Sequence, residues 1–303
     1  MFIIRNRNIF FALTGALIVA SMVALAVFGL RLSIDFTGGT LVGVTYPDGR
    51  PPALELDASI KQAGFSNYSL REAGENDIML RTGDLSDEMR AALPEAFSVD
   101  GKYPAAIDQL SEIGPTIGAE LRHKALISIG LVLLCILLFI AFAFRKVSQP
   151  VSSWIYGFVA LLTLIHDVIV PVGFFAVLGH FTGATVDTLF VTAILTVLGF
   201  SIHDTIVVFD RTRENLRINH EKGRKEDFAE TAGRALSQTF TRSINTSLTV
   251  VITLLTLFFV GPESIKDFAL TLLVGIIAGT YSSIFVATPL LVTIEKYRGK
   301  NKK

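Results

Sequence analysis

The sequence predicts an α-helical membrane protein of six spans, with one small α+β domain held outside the bilayer between the first two. Three observations predict it. Of 303 residues, 51% are hydrophobic and 18% charged, against about 25% charged in soluble chains, and the mean hydropathy is +0.55. The apolar residues collect in six blocks, about 9–30, 125–144, 153–179, 186–209, 243–261 and 268–293. Each is near the ~20 residues that cross hydrocarbon as helix. Finally, basic residues crowd alternate connections between the blocks.

The 27 basic and 27 acidic residues cancel, so only their placement is informative. Arg5 and Arg7 precede the first span, and Arg145 and Lys146 separate the second from the third. Arg211, Arg213, Arg217, Lys222, Arg224, Lys225 and Arg234 lie between the fourth and fifth; Lys296, Arg298, Lys300, Lys302 and Lys303 follow the sixth. The other connections, GHFTGAT (179–185) and GPESIKD (261–267), hold one lysine together. The positive-inside rule therefore places both termini in the cytoplasm and residues 31–124 outside. The first block is read as an uncleaved anchor: its apolar run is longer than a signal peptide's, although Ala24-Leu25-Ala26 resembles a cleavage site. Cys135, the single cysteine, falls in the second span as a small core or lipid-facing residue, so no intramolecular disulfide can form.

Residues 31–124 carry more charge and more turn residues. LVGVTYP (41–47) reads as a strand closed by the turn Pro47-Asp48-Gly49. LELDASIKQAGF (54–65) has helical spacing and a glycine stop. YSLREA (68–73) and DIMLRTG (77–83) read as two strands around a Gly-Glu-Asn turn. LSDEMRAALPEAF (85–97) opens a helix with Ser86 as cap and Asp87 and Glu88 in its first turn. Strand, helix, strand, strand, helix fits a ferredoxin-like domain, suited to binding or hinging rather than catalysis. The cytoplasmic connection 211–240 places Phe228, Ala232, Ala235, Leu236 and Thr239 on one helical face. It reads as a helix lying on the inner membrane surface among anionic lipid headgroups, with a solvated helical hairpin as the alternative. Residues 1–30, 31–124, 125–293 and a basic cytoplasmic tail at 294–303 thus form the predicted divisions.

Asp204 is the most informative residue. It lies in the apolar run 185–209, where a charge near the bilayer centre costs about 2.5–3.5 kcal/mol. It sits about five residues, ~8 Å of helix rise, above the inner end of the fourth span. Arg242 opens the antiparallel fifth span at similar depth, so the two are expected to pair. From Arg242 a stripe runs through Thr246, Thr249, Thr253 and Thr256, flanked by Asn245; Thr192, Thr196, Gly199 and His203 repeat the spacing on the fourth span. Two such stripes predict a polar seam that protons could follow. A static salt bridge, and threonines bonded to their own backbone, form the competing reading. His166 and Asp167 lie in mid-span; neighbours ~100° apart on a helix should not pair with each other, and relay and structural roles both stay open. Asp187 and Asp210 sit at span ends, Asp210 with Arg211 and Arg213 as an interfacial anchor. Gly275, Gly279, Ser283 and Ala287 make a small-residue face for an internal helix or a partner subunit. The His and Asp residues lack metal-ligand spacing. No Walker loop, nucleophile elbow, zincin motif or dinucleotide fingerprint occurs, so no enzymatic activity is expected.

Five stretches carry a resemblance: IDFTGGT (34–40), EIGPTIGAELRHKAL (112–126), LIHDVIVPVG (164–173), GFSIHDTIVVFDRTREN (199–215) and TRSINTSLT (241–249). In this order they resemble the SecF family, the smaller membrane subunits of the bacterial SecDF protein-export complex, in the RND superfamily. SecD proteins carry a much larger outer domain. The resemblance implies an RND-like half of six helices in the cytoplasmic (inner) membrane, with SecD, the SecYEG channel, unfolded preproteins and lipids as partners, YajC as a further candidate, and no nucleic acid. It implies use of the proton motive force to complete preprotein translocation. Asp204 and Arg242 match the family's proton-sensitive carboxylate and arginine. Protonation of Asp204 from outside would weaken that pairing, and release inward would restore it. No cofactor is implied; the coupling ion is a proton, with sodium as the alternative. His203 stands where the commonest form of the motif has Asn, adding a titratable group beside Asp204. A non-energetic scaffold subunit and a small-molecule RND exporter are the other functional readings, the latter expecting a larger outer domain.

Overall fold

The computed structural model describes residues 2–66, 68–145, 151–262 and 265–300. Lys146, Lys302, Lys303, Glu263 and Ser264, used in the charge argument, lie outside the described residues. In chain order the elements are α1 (Phe2–Arg5), α2 (Arg7–Phe28), α3 (Ile34–Thr37), β1 (Gly39–Thr45), α4 (Ala53–Gln62), β2 (Tyr68–Glu72), β3 (Asp77–Thr82), α5 (Asp87–Ser98) and β4 (Ala106–Ile113). There follow α6 (Pro115–Ala143), α7 (Ser153–Thr182), α8 (Thr188–Glu221), α9 (Phe228–Val260), α10 (Lys266–Ser282), a π-helical turn (Ser283–Ala287) and α11 (Thr288–Lys300). Among the described residues six helices are long and apolar enough to cross a membrane, the sixth running from α10 through the π turn into α11. The chain divides into two compact units: Met1–Leu30 with Ile127–Ala184 and Leu189–Lys303, and Arg31–Leu126 with Thr185–Thr188.

In the smaller unit an antiparallel sheet has the order β2-β3-β1-β4. Alternation puts Val42 and Val44 of β1 and Ile78 and Leu80 of β3 on one buried face. Leu56 and Ile60 of α4 and Leu93, Ala96 and Phe97 of α5 pack on that face. Tyr46, also fully buried, donates its hydroxyl to the Phe97 carbonyl at 2.9 Å, which meets the requirement that a buried polar group be paired. The cap predicted for α5 forms: Ser86 Oγ accepts from the Met89 amide at 3.2 Å. The edge strand β4 has no counterpart in the sequence prediction. Its residues are mostly exposed, so it lacks the half-buried alternation that marks a strand.

The Gly38-Gly39 pair shapes the corner between α3 and β1. Both have positive φ, +77° and +116°. A Cβ on Gly38 would lie 2.7 Å from Pro115 Cα, and one on Gly39 2.5 Å from the Thr82 carbonyl oxygen. Gly118 faces the same corner, where its Cβ would come 2.8 Å from the Gly38 nitrogen. Two of the quoted motif stretches, 34–40 and 112–126, are therefore two halves of one close backbone contact. Asp35, within the first, accepts from both the Thr188 amide (2.9 Å) and its hydroxyl (3.0 Å).

In the larger unit glycines again mark where helices approach closely. A Cβ on Gly173 of α7 would lie 2.4 Å from Ser21 Cβ of α2, and one on Gly157 2.9 Å from Leu137 of α6. Gly275 and Gly279 of α10 meet Val197 and Ser201 of α8 at 2.3 and 2.8 Å, so this small-residue face is used inside the chain. Cys135 lies exposed on α6. The connection 211–240 differs from the surface helix expected. α8 and α9 run on past the membrane-length blocks as two arms of a hairpin, turning at 222–227. A polar knot closes it. Asn219 donates to Glu226 (2.5 Å) and Thr231 (3.1 Å), and Arg234 bridges Glu226 at 2.7 Å. The apolar face of Phe228, Ala232, Ala235 and Leu236 is buried and so is not left for lipid.

Candidate functional site: a buried acid among hydroxyls

Asp204 is 3% exposed. Its helical neighbours at three residues before and one after, Ser201 and Thr205, are buried with it. Across from it, Ser243 and Ser247 of α9 lie at i and i+4 on one buried face beside Asp204. Ser247 Oγ approaches Asp204 Oδ2 at 3.5 Å, a long contact for a hydroxyl donor. That same hydroxyl accepts from Thr280 of α10 at 2.6 Å. Ser243 Oγ, wholly buried, faces the same carboxylate but falls outside strict hydrogen-bond geometry.

The expected Asp204–Arg242 pair is not formed. No ion pair between Arg242 and Asp204 occurs among the described residues and Arg242 is exposed, although the charges of both Arg242 and His203 lie near enough to act on the Asp204 carboxylate. The reason is angular. Ser243 follows Arg242 by ~100°, and with Ser243 and Ser247 on the buried face beside Asp204, Arg242 falls on the exposed flank of α9. Asn245, Thr249, Thr253 and Thr256 are exposed on α9, with Thr246 half-buried. The same holds on α8, where His203 is exposed in line with Thr192, Thr196 and Gly199. The two stripes thus lie on the outside of this chain rather than closing a seam within it. Thr196, Thr246, Thr249, Thr253 and Thr256 each donate to a carbonyl of their own helix at 2.7 to 3.0 Å, the bland behaviour of membrane threonines.

A second prediction also fails. His166 Nδ1 and Asp167 Oδ1, on adjacent residues, are 2.8 Å apart. Both side chains curl towards the same interior space, because hydroxyls of other helices converge there. Ser201 of α8 and Ser282 of α10 (2.9 Å) both bond to Asp167 Oδ2. Sequence reasoning singled out none of Ser201, Ser243, Ser247, Thr280 or Ser282. The available signal was small hydroxyls spaced i, i+4, one position out of phase with the threonine stripe, and it is faint because Ser is common in membrane helices.

Comparison with known proteins fits these features to one family. Residues 96–297 match the family described as protein export membrane protein SecD/SecF, C-terminal, and residues 23–46 match the SecD/SecF GG motif. The protein translocase subunit SecF of Thermobaculum terrenum is 41% identical over 307 residues, covering 97% of this chain and 93% of that protein. That of Anaerolinea thermophila is 37% identical, covering 99% and 96%. The crystal structure of SecDF, a translocon-associated membrane protein from Thermus thermophilus, matches with a TM-score of 0.84 at 32% identity, over 97% of this chain and 38% of that one. The chain therefore spans rather more than a third of that longer protein.

Proposed function

Because this chain belongs to the SecF family of protein-export membrane proteins, we propose that it couples the proton motive force to the late stages of preprotein translocation across the cytoplasmic membrane. Asp204 carries the reading: a buried carboxylate in an apolar span, faced by the hydroxyls of Ser243 and Ser247, with the charges of His203 and Arg242 acting on it from outside contact distance. A bound proton removes the charge that burial penalises. Each proton crossing the membrane supplies about 2.3 kcal/mol per 100 mV, enough to bias an equilibrium of a few kcal/mol. Arg242 and His203 act from the exposed side of the same two helices, meeting groups that a partner brings.

That partner is SecD. The matching solved protein joins both names in one chain, and the exposed His203 of α8 and Arg242 of α9 are unsuited to lipid. SecYEG, YajC and unfolded preproteins complete the proposed assembly, with both termini cytoplasmic. The smaller unit is the extracytoplasmic domain, and its antiparallel order β2-β3-β1-β4 with two helices on one face supports a ferredoxin-like reading. The test is late-stage translocation of a preprotein into inner-membrane vesicles with and without a proton gradient, wild type against Asp204→Asn at equal protein levels. Loss of gradient stimulation with normal assembly supports coupling, and full stimulation in the variant leaves a scaffold. Replacing the proton gradient by a sodium gradient decides the ion.

A further inference from the structure

Four consecutive residues at the end of α10 reach four different helices. Thr280 bonds to Ser247 of α9, and the Tyr281 hydroxyl to the Phe10 carbonyl of α2 (3.0 Å). Ser282 bonds to Asp167 of α7, and Ser283 to Thr205 of α8 (3.0 Å). Successive ~100° steps make this possible. The π-helical turn begins at the fourth of them, a type of irregularity that concentrates at functional sites. The acid at this hub is Asp167, not Asp204.

Asp167 is 0% and His166 1% exposed. Asp167 accepts from three directions: His166 Nδ1, Ser201 Oγ and Ser282 Oγ. Pro171, four residues on in α7, has no N–H to give the Asp167 carbonyl. One atom of the pair is left over. His166 Nε2 is buried and has no hydrogen-bond partner among the described residues. If Nδ1 carries the ring proton and donates to the carboxylate, Nε2 is a bare lone pair, and the site holds an uncompensated negative charge in the bundle core. Unlike the other orphaned atoms in this unit, Tyr156 Oη, Ser243 Oγ and Thr288 Oγ1, His166 Nε2 belongs to a base hydrogen-bonded to a buried carboxylate.

We infer that His166 and Asp167 form a second proton-binding site, separate from Asp204, which takes one proton on the Nε2 lone pair of His166. The new N–H bond turns the imidazole into a cation held 2.8 Å from the carboxylate, and the buried pair becomes neutral overall. The titratable groups facing it from other helices are Tyr281, whose ring centroid lies 6.3 Å from that of His166, and Asp204, one turn along α8 from Ser201. From α2, Thr14 and the Phe10 carbonyl approach through Tyr281.

The experiment follows imidazole nitrogen signals of the full chain, labelled with ¹⁵N-histidine in lipid nanodiscs, across about pH 5 to 8, where histidine charge changes. The His166 signal is assigned by its absence in His166→Gln. It is expected to pass from the neutral Nδ1–H form to the doubly protonated form as pH falls, in wild type and in Asp204→Asn alike. Asp167→Asn should abolish or lower the transition. Ser282→Ala, a milder change that keeps the acid, should move the midpoint, because one donor no longer shares the carboxylate's charge. A signal that keeps one form throughout overturns the inference. So does a midpoint indifferent to both Asp167→Asn and Ser282→Ala, and so does a transition lost in Asp204→Asn, which would assign the proton to the Asp204 site.

Discussion

Replacing Gly39 by Ala tests the glycine corner against a control elsewhere in the same domain. Two effects add at Gly39. Its φ of +116° lies where side chains are strained, a cost of order 1–3 kcal/mol. Its new Cβ would also sit 2.5 Å from the Thr82 carbonyl oxygen, and this is backbone, held in the ladder by pairing with Thr40 and Tyr68. Relief must therefore come from moving strands, at about 1–3 kcal/mol for overpacking. Gly49→Ala isolates the first effect, because Gly49 also has a positive φ, +95°, yet nothing lies within 4 Å of its Cβ position. The difference between the variants measures the contact. Amide hydrogen exchange of β1 and β3 in the full chain reads it, as protection about 5- to 150-fold weaker in Gly39→Ala than in Gly49→Ala. Equal losses in the two variants would refute the close-contact account and leave only backbone strain.

Two further outcomes follow from the geometry. Arg242 is exposed and makes no ion pair with Asp204 among the described residues, so Arg242→Gln should leave the stability of the isolated chain within about 0.5 kcal/mol while removing gradient-driven export; destabilisation by several kcal/mol in a detergent unfolding assay would show an internal ion pair. The Asp57 cluster of the sheet domain supplies a pH signature. Burial and the 2.6 Å bond to Asp57 push the Tyr68 phenol up from 10.0 to about 12, while bonds from Lys61 and Tyr68 hold the Asp57 carboxyl below its usual value. A raised phenol adds stability that is complete below about pH 10 and lost towards about pH 12. The lowered carboxyl adds stability present above about pH 4 and lost as pH falls through its folded value. Tyr68→Phe should flatten the alkaline limb of a pH-dependent unfolding profile; an unchanged limb would contradict the assignment.

Much of this architecture was legible from residue order. Block length and hydropathy located six spans because bilayer thickness leaves helices little choice of length. The ends of those helices were less legible. α8 and α9 continue into the hairpin because Asn219, Glu226, Thr231 and Arg234 satisfy one another, a long-range event that local polarity masks. β4 escaped because an exposed edge strand carries no alternation.

The site divides in the same way. Asp204 could be singled out because a carboxylate in an apolar run is expensive wherever its side chain points. Its partner could not, since periodicity fixes only relative angles along one helix and leaves the rotation of each helix about its axis free. Packing set that rotation: Gly275 and Gly279 draw α10 onto α8, Ser243 and Ser247 turn inward, and Arg242 and His203 turn out. By itself the sequence determined the number of spans, the burden of charge within them and the glycines a tight corner needs. Only the tertiary structure decided which side chains meet, placing hydroxyls rather than a guanidinium around Asp204 and drawing Asp167 into a core of its own, because contacts between helices depend on rotations that no single helix encodes.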